Sequence, residues 1–140
     1  MIFKRKGIKE DLGALEKKKR IGHIGENAAA VFLSENGCRI LARNYTVGKN
    51  EIDIIAEDKE HFIFCEVKSR IQQYGVPSLY GRPASAVTKE KQQNVIAAAA
   101  SFAARHRNAG KRFRFDVIEV YLDEKETVSH IHHIPNAFTR

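Results

Sequence analysis

Asn50-Glu51-Ile52-Asp53-Ile54-Ile55-Ala56 and Phe62-Ile63-Phe64-Cys65-Glu66-Val67-Lys68 are the two runs whose reading decides the fold of this chain. Each has the β-branched and aromatic content of a buried strand. Yet each carries charge among its apolar residues. An unpaired carboxylate or ammonium is costly to bury, so such groups are usually paired or bind metal. A short turn around Lys59-Glu60 joins the runs as an antiparallel hairpin. If the turn is symmetric, Asp53 stands opposite Glu66 and Glu51 opposite Lys68, with opposed Cβ atoms about 5 Å apart. Side chains alternate along a strand, so Glu51, Asp53, Ile55, Phe64, Glu66 and Lys68 are expected on one face.

Working outward from this hairpin, Arg39 to Val47 reads as an earlier strand. Before it, Ile24, Ala28, Val31 and Phe32 recur at helical spacing, with Gly37 as the stop. After the hairpin comes a loop rich in breakers, Tyr74-Gly75-Val76-Pro77 and Gly81-Arg82-Pro83. A long helix is predicted from about Thr88 to His106, packing through Val95, Ala98, Phe102 and further alanines. Phe113 to Leu122 is a strongly apolar strand interrupted by Arg114, Asp116 and Glu119. Val128 to Ile134 is a last strand at a sheet edge. The order is helix, three strands, helix, strand and an extra strand, which predicts an α/β mixed sheet covered on both faces.

The chain has 140 residues, which suits one domain able to bury a core without staples. Its two cysteines, Cys38 and Cys65, do not make a disulfide framework. It carries no secretory apolar segment and no run near the length of a membrane span, so a cytoplasmic protein off the membrane is expected. Net charge is +7, which favours a polyanionic partner and says nothing about fold. Residues 1–20 hold eight basic residues against three acidic ones and supply five of those seven charges. They read as a basic arm ahead of a domain covering 21–140. Such an arm is either a solvated tail or a track for phosphates.

Two carboxylates at the spacing of Asp53 and Glu66 suit one hard divalent cation, magnesium or manganese, which takes oxygen ligands and keeps several waters. A main-chain carbonyl near Val67 is a further ligand. The ion would polarise a phosphate and activate water, with Lys68 orienting that water or stabilising transition-state charge. The competing reading is a buried ionic cluster of Asp53, Glu66 and Lys68 without metal. Glu26, in the first turn of the first helix, either interacts with the helix N-terminus or aims another carboxylate at the metal. Glu51 either neutralises Lys68 or helps organise the metal. Asp116 is read as a structural partner for an arginine. Lys89 and Lys91 open the long helix, and Lys91 shares a face with Val95 and Phe102, so it either reaches the active edge of the sheet or is solvated. Gln92 and Gln93 are ordinary helix-surface residues unless they touch phosphate or base. Tyr74 and Tyr80 either stack on unpaired bases or pack the loop. His130 and His132 have chelate spacing on a strand, with His133 beside them, but no third ligand is evident.

These residues resemble a known family. Gly22-His23-Ile24-Gly25-Glu26-Asn27-Ala28-Ala29, Arg43-Asn44-Tyr45, Glu51-Ile52-Asp53-Ile54-Ile55, Glu66-Val67-Lys68-Ser69-Arg70, Lys89 and Arg114-Phe115-Asp116-Val117 together resemble the YraN-like endonuclease family, from about Ile21 to Leu122. The resemblance implies the restriction-endonuclease-like fold, an αβββαβ core with the extra C-terminal edge strand. It also implies a nuclease site of the PD-(D/E)xK type, here without the proline. Asp53, Glu66 and Lys68 take the motif positions, and Glu26 matches the helical glutamate of the similar archaeal Holliday-junction resolvases. The family usually has glycine where this chain has Asn50, a residue that tolerates left-handed backbone. On this reading the chain cuts DNA, including branched or damaged DNA, in a metal-dependent reaction. Lys17, Lys18, Lys19, Arg70, Lys89 and Lys91 would hold the nucleic acid. Junction-cutting relatives work as dimers, which leaves a homodimer open. The alternatives are a non-catalytic nucleic-acid-binding module on the same fold, or an adaptor for a protein partner.

Overall fold

The computed structural model describes residues 2–72, 87–106 and 110–140, with side chains from residue 11 onward. Among these residues seven elements follow in order: α1 (Ile2–Glu35), β1 (Arg39–Val47), β2 (Asn50–Glu57), β3 (His61–Ile71), α2 (Lys89–Arg105), β4 (Arg112–Leu122) and β5 (Val128–Phe138). The strands form one mixed sheet in the order β1-β2-β3-β4-β5. This is the αβββαβ order of a restriction-endonuclease-like core followed by an extra strand. The breaker-rich loop with Tyr74 and Tyr80 lies outside the described residues.

Local chemistry sets each boundary. Gly37, at φ 85°, ends α1 in the conformation that glycine adopts without penalty. The Cys38 N–H then donates to the Leu33 carbonyl at 3.0 Å, and Gly37 N–H to Ser34 at 3.3 Å, the paired bonds of a Schellman stop. The β2–β3 turn is tied by Asp58, whose Oδ1 accepts the N–H groups of Glu60 and His61 at 2.8 and 2.7 Å. The Thr88 hydroxyl caps α2 by accepting from Lys91 N–H at 3.1 Å. The expected boundary after residue 20 is not a break in structure, because the basic arm and the first helix are one continuous helix. Residues 11–20 of that helix are exposed on every side.

The β2–β3 ladder pairs Glu57 with Phe62, Ala56 with Ile63, Ile55 with Phe64 and Ile54 with Cys65, then stops. Asp53 and Glu66 are the next positions in that register, as a symmetric turn requires. The chain then crosses over through α2, and β4 pairs parallel to β3, Phe62 against Phe113. The two helices cover opposite faces. Ala29 and Leu33 of α1 pack on Ile54, Ile63, Cys65, Ile118 and Val120. Val95, Ala98, Ala99 and Phe102 of α2 pack on Ile55, Phe62, Phe64, Phe115 and Val117. Alanines in α2 let the helix come close to the sheet, and Phe102 meets Phe62 and Phe64 edge-on at 5.6 and 6.0 Å between ring centres.

Strict alternation fails beside the site. Arg43 pairs with Ile54 and Tyr45 with Ile52, yet Arg43 reaches Glu26 on α1 while Tyr45 packs edge-on against Phe102 of α2. Between them Asn44 has φ 51°. Across the ladder, Ile52 and Ile55, three residues apart, join the same α2-side cluster. The expectation that β2 alternates regularly from Glu51 to Ile55 is therefore corrected. Left-handed backbone at Asn44 kinks both strands next to Asp53, as bulges near functional sites often do. Asn50 is not left-handed; Gly48, at φ 59°, makes the β1–β2 turn instead.

Candidate active site

Asp53 and Glu66 meet where β2 and β3 stop pairing. Asp53 Oδ2 accepts the main-chain N–H of Val67 at 2.8 Å, so the side chain takes the place of a missing ladder carbonyl. Glu66 is 8% exposed. Its Oε2 is buried and has no hydrogen-bond partner among the described residues. Two ammonium groups approach without reaching hydrogen-bond distance: Lys91 Nζ lies 3.8 Å from Oε2 and Lys68 Nζ 4.0 Å from Oε1. Thus Lys91, from the first turn of α2, reaches the edge of the sheet that carries Glu66. Val67, the third expected metal ligand, adjoins both carboxyls through the Asp53 bond.

The electrostatics reflect crowding of acids in a dry place. Burial, then the neighbouring Asp53, pushes the Glu66 carboxyl up to about 7, against the opposing pull of Lys91 and Lys68. Burial also raises Asp53, helped by the charges of Glu26 and Glu51 and opposed by the Val67 N–H and Lys91. Each effect disfavours the ionised form, which is what a bound cation would restore. Among the described residues no three His, Cys, Asp or Glu side chains converge as a ready-made metal cage.

Glu26 sits deep inside α1 rather than in its first turn, so the helix N-terminus cannot be what it serves. Its Oε1 accepts from Arg43 Nε at 3.1 Å and Asn44 Nδ2 at 2.9 Å, while Arg43 also donates to Asn27 Oδ1 at 2.7 Å. This clamp binds α1 to the kinked stretch of β1 and holds the Glu26 charge near Asp53. Sequence reasoning missed Arg43 and Asn44 as site-supporting residues. Their hint was an arginine and an asparagine within an otherwise strand-like run. Glu51 does not pair with Lys68, whose carboxylate partner is Glu66.

The basic residues divide. Lys17 and Lys18 of α1 line one cavity with Lys68 and Arg70 of β3. Lys19 and Lys89 are exposed and outside that lining. Gln92 has a structural task, donating to the Val87 carbonyl at 2.9 Å. Asp116 is held by Arg114 through Nε and NH2, both at 2.9 Å, as the arginine-partner reading has it. His133 and His132 have different acid partners. His133 meets Asp116 at 2.7 Å, and His132 meets Glu119 at 3.1 Å, with Tyr121 donating to the same Glu119 at 3.1 Å. No helix among the described residues is long and apolar enough to cross a membrane.

A family model described as "Uncharacterised protein family UPF0102" matches residues 25–120. A UPF0102 protein of Caldanaerobacter subterraneus subsp. tengcongensis is 40% identical over 122 residues, covering 86% of this chain and 96% of the relative. One from Moorella thermoacetica is 39% identical over 121 residues, covering 86% and 97%. One from Clostridioides difficile is 39% identical over 120 residues, with the same coverage.

Proposed function

Since the chain belongs to the uncharacterised protein family UPF0102, its activity has to be read from its own site, and we propose that it is a divalent-metal-dependent endonuclease hydrolysing phosphodiester bonds in DNA. One observation carries the reading. The half-buried Asp53 carboxyl and the buried Glu66 carboxyl lie together, the latter with an oxygen that no donor among the described residues satisfies, beside two ammonium groups. A purely structural ionic cluster would be expected to satisfy that oxygen, because an unmet buried acceptor costs about 1–3 kcal/mol. Oxygen ligands from Asp53, Glu66 and the Val67 carbonyl are the hard donors that magnesium or manganese takes. What a bound ion supplies is polarisation of the phosphate and a lowered pKa for the attacking water.

The chain's own residues do the rest. Lys68, on the strand that carries Glu66, is placed to orient water or to meet charge growing on the phosphate. Lys91 brings a second positive charge from the opposite helix. The Arg43–Glu26–Asn44 clamp keeps the kinked β1–β2 segment, and with it Asp53, in position. The order of elements and the motif positions of Asp53, Glu66 and Lys68 support kinship with restriction-endonuclease-like nucleases of the PD-(D/E)xK type, the junction resolvases among them. The net charge of +7 supports a nucleic-acid substrate.

The test is cleavage of labelled linear, single-stranded, flapped and four-way-junction DNA by wild type, Asp53→Ala and Lys68→Ala, in magnesium, manganese and EDTA. Metal-dependent cutting that both substitutions abolish is expected. Cutting by a folded Asp53→Ala protein at the wild-type rate would overturn the assignment. Salt-sensitive binding with no cutting in any metal would instead favour a non-catalytic binding module.

A further inference from the structure

Resting on the nuclease reading, we propose that the groove between α1 and the end of β3 holds the unpaired strand of a tailed or branched nucleic acid next to the site. The groove has a volume of about 660 Å³. That is the scale of a pocket for one compact ligand, about 300–1,000 Å³, so it admits a nucleotide or two. Its rims are basic: Lys17 and Lys18 from the helix, Lys68 and Arg70 from the strand. Its floor is apolar, with Ile21 on one side and Val67 and Ile71 on the other.

That combination selects for a single strand. A duplex offers a basic wall its phosphates, but its bases are stacked inside and leave an apolar floor wet. An unpaired strand offers phosphates to the rims and base faces to the floor. The fold makes the groove by two devices already described. The β2–β3 ladder ends at Ile54 and Cys65, so β3 runs on past its neighbour as far as Ile71. Meanwhile α1 continues unbroken toward its N-terminus past the point where it covers the sheet, carrying Lys17 and Lys18 alongside. Lys68 belongs to both places, lining the groove and standing 4.0 Å from Glu66. A strand lying in the groove therefore runs along the edge of β3 that β2 leaves free, with the carboxylates just across that edge.

The experiment is fluorescence anisotropy with the full chain in EDTA, using a blunt DNA duplex and the same duplex with a single-stranded tail. Wild type is compared with Lys17→Ala/Lys18→Ala and with Lys59→Ala/Lys125→Ala, a charge-matched control in exposed turns. Wild type is expected to bind the tailed DNA about tenfold more tightly, the gain from burying roughly 50–60 Å² of base face against the apolar floor. The groove variant loses that margin and binds blunt duplex as the control does. Its log–log salt slope on tailed DNA becomes shallower by about 1.4, the share of two single-strand phosphate contacts. Equal losses on blunt and tailed DNA would make the groove a duplex contact, and no loss on either would leave it to some other partner; both overturn the proposal. Cleavage in magnesium is read in parallel. A tail preference without cutting by wild type sinks the nuclease reading alone, and cutting without a tail preference sinks the groove alone.

Discussion

Asp53 and Val67 are joined by a hydrogen bond in which a side-chain carboxylate accepts a main-chain N–H across a gap in the sheet, at 2.8 Å. The bond gives Asp53 two tasks that substitutions separate. Asn at this position keeps an oxygen for Val67 and loses the charge; Ala loses both. Without metal, Asp53→Asn is expected to be at least as stable as wild type, since it relieves a crowded buried charge. Asp53→Ala is expected to lose about 1–3 kcal/mol through the unmet N–H. Adding magnesium should raise the melting temperature of wild type and of neither variant. Urea unfolding with and without magnesium checks this, and equal stabilisation of Asp53→Asn by the ion would remove Asp53 from the ligand set.

Glu66 makes stability depend on pH. Its carboxyl rises from an ordinary 4.5 to about 7 on folding, so the folded protein holds that proton more tightly than the unfolded chain. The stability it contributes is full below 4.5 and is lost as pH rises through about 7. The whole change is on the order of 2–3 kcal/mol. Thermal melts of metal-free protein between pH 4.5 and 8 should show this fall, and Glu66→Gln should flatten it. A magnesium ion held by the ionised carboxylates would stabilise wild type more at pH 8 than at pH 5. A wild-type profile that Glu66→Gln leaves unchanged would locate the titration elsewhere.

Gly25 sets how closely α1 approaches the sheet. A methyl group there would lie 2.8 Å from Ser69 Cβ and would collide with Ser69 Oγ. Ser69 follows Lys68, so the collision falls on the strand that carries Glu66 and Lys68. Gly25→Ala is expected to cost about 1–3 kcal/mol by overpacking, and Gly25→Ala/Ser69→Gly to recover most of it. Gly22→Ala, with open space around its site, should cost nothing and is the control. Chemical denaturation of the three proteins decides the matter.

The contrast between Gly25 and Gly22 also marks where the sequence stops being legible. The hairpin register could be read because charges among apolar residues are improbable and the turn is short; Asp53 and Glu66 follow from counting. The faces of α2 could be read because Val95, Ala98 and Phe102 repeat at helical spacing. The kink at Asn44 could not, since left-handed backbone at a single non-glycine residue leaves no periodic trace. The Arg43–Glu26 clamp depends on that kink and was hidden with it. The length of α1 was hidden for another reason. Residues 11–20 have no core to face, so that stretch lacks the apolar stripe by which a helix is recognised. Lys91 was ambiguous because whether a helix-terminal lysine is solvated or reaches inward depends on how close the helix lies, which the sequence does not state.

Asp116 is the acid from which a structural role, and no catalytic one, is expected, and it supplies the contrast for Glu66. Its side chain is fully buried and every approach is occupied. Arg114 binds both oxygens, His133 binds Oδ2, and Asn136 N–H donates to Oδ1 at 2.9 Å. These donors outweigh burial and hold Asp116 below its ordinary 3.8. The sign is therefore opposite to that of Glu66: the stability Asp116 contributes is present above 3.8 and is lost as pH falls through its lowered folded value. Asp116→Asn keeps the shape but leaves half-buried Arg114 with only Asp58, 3.8 Å away, as counter-charge, at a cost of up to about 3–5 kcal/mol. Arg114→Met/Asp116→Leu, which removes both charges at once, should be much less damaging. Both proteins, where folded, should bind DNA as wild type does. Urea unfolding at pH 7 tests the ordering, and a loss below about 1 kcal/mol in Asp116→Asn would show that the Arg114–Asp116 pair within β4 contributes little to stability. Glu57 and Asp58 are also held below their ordinary values and Asp53 above its own, so Asp116→Asn should shrink the acid limb of the stability curve and Glu66→Gln the fall between 4.5 and 7, each leaving the other limb in place.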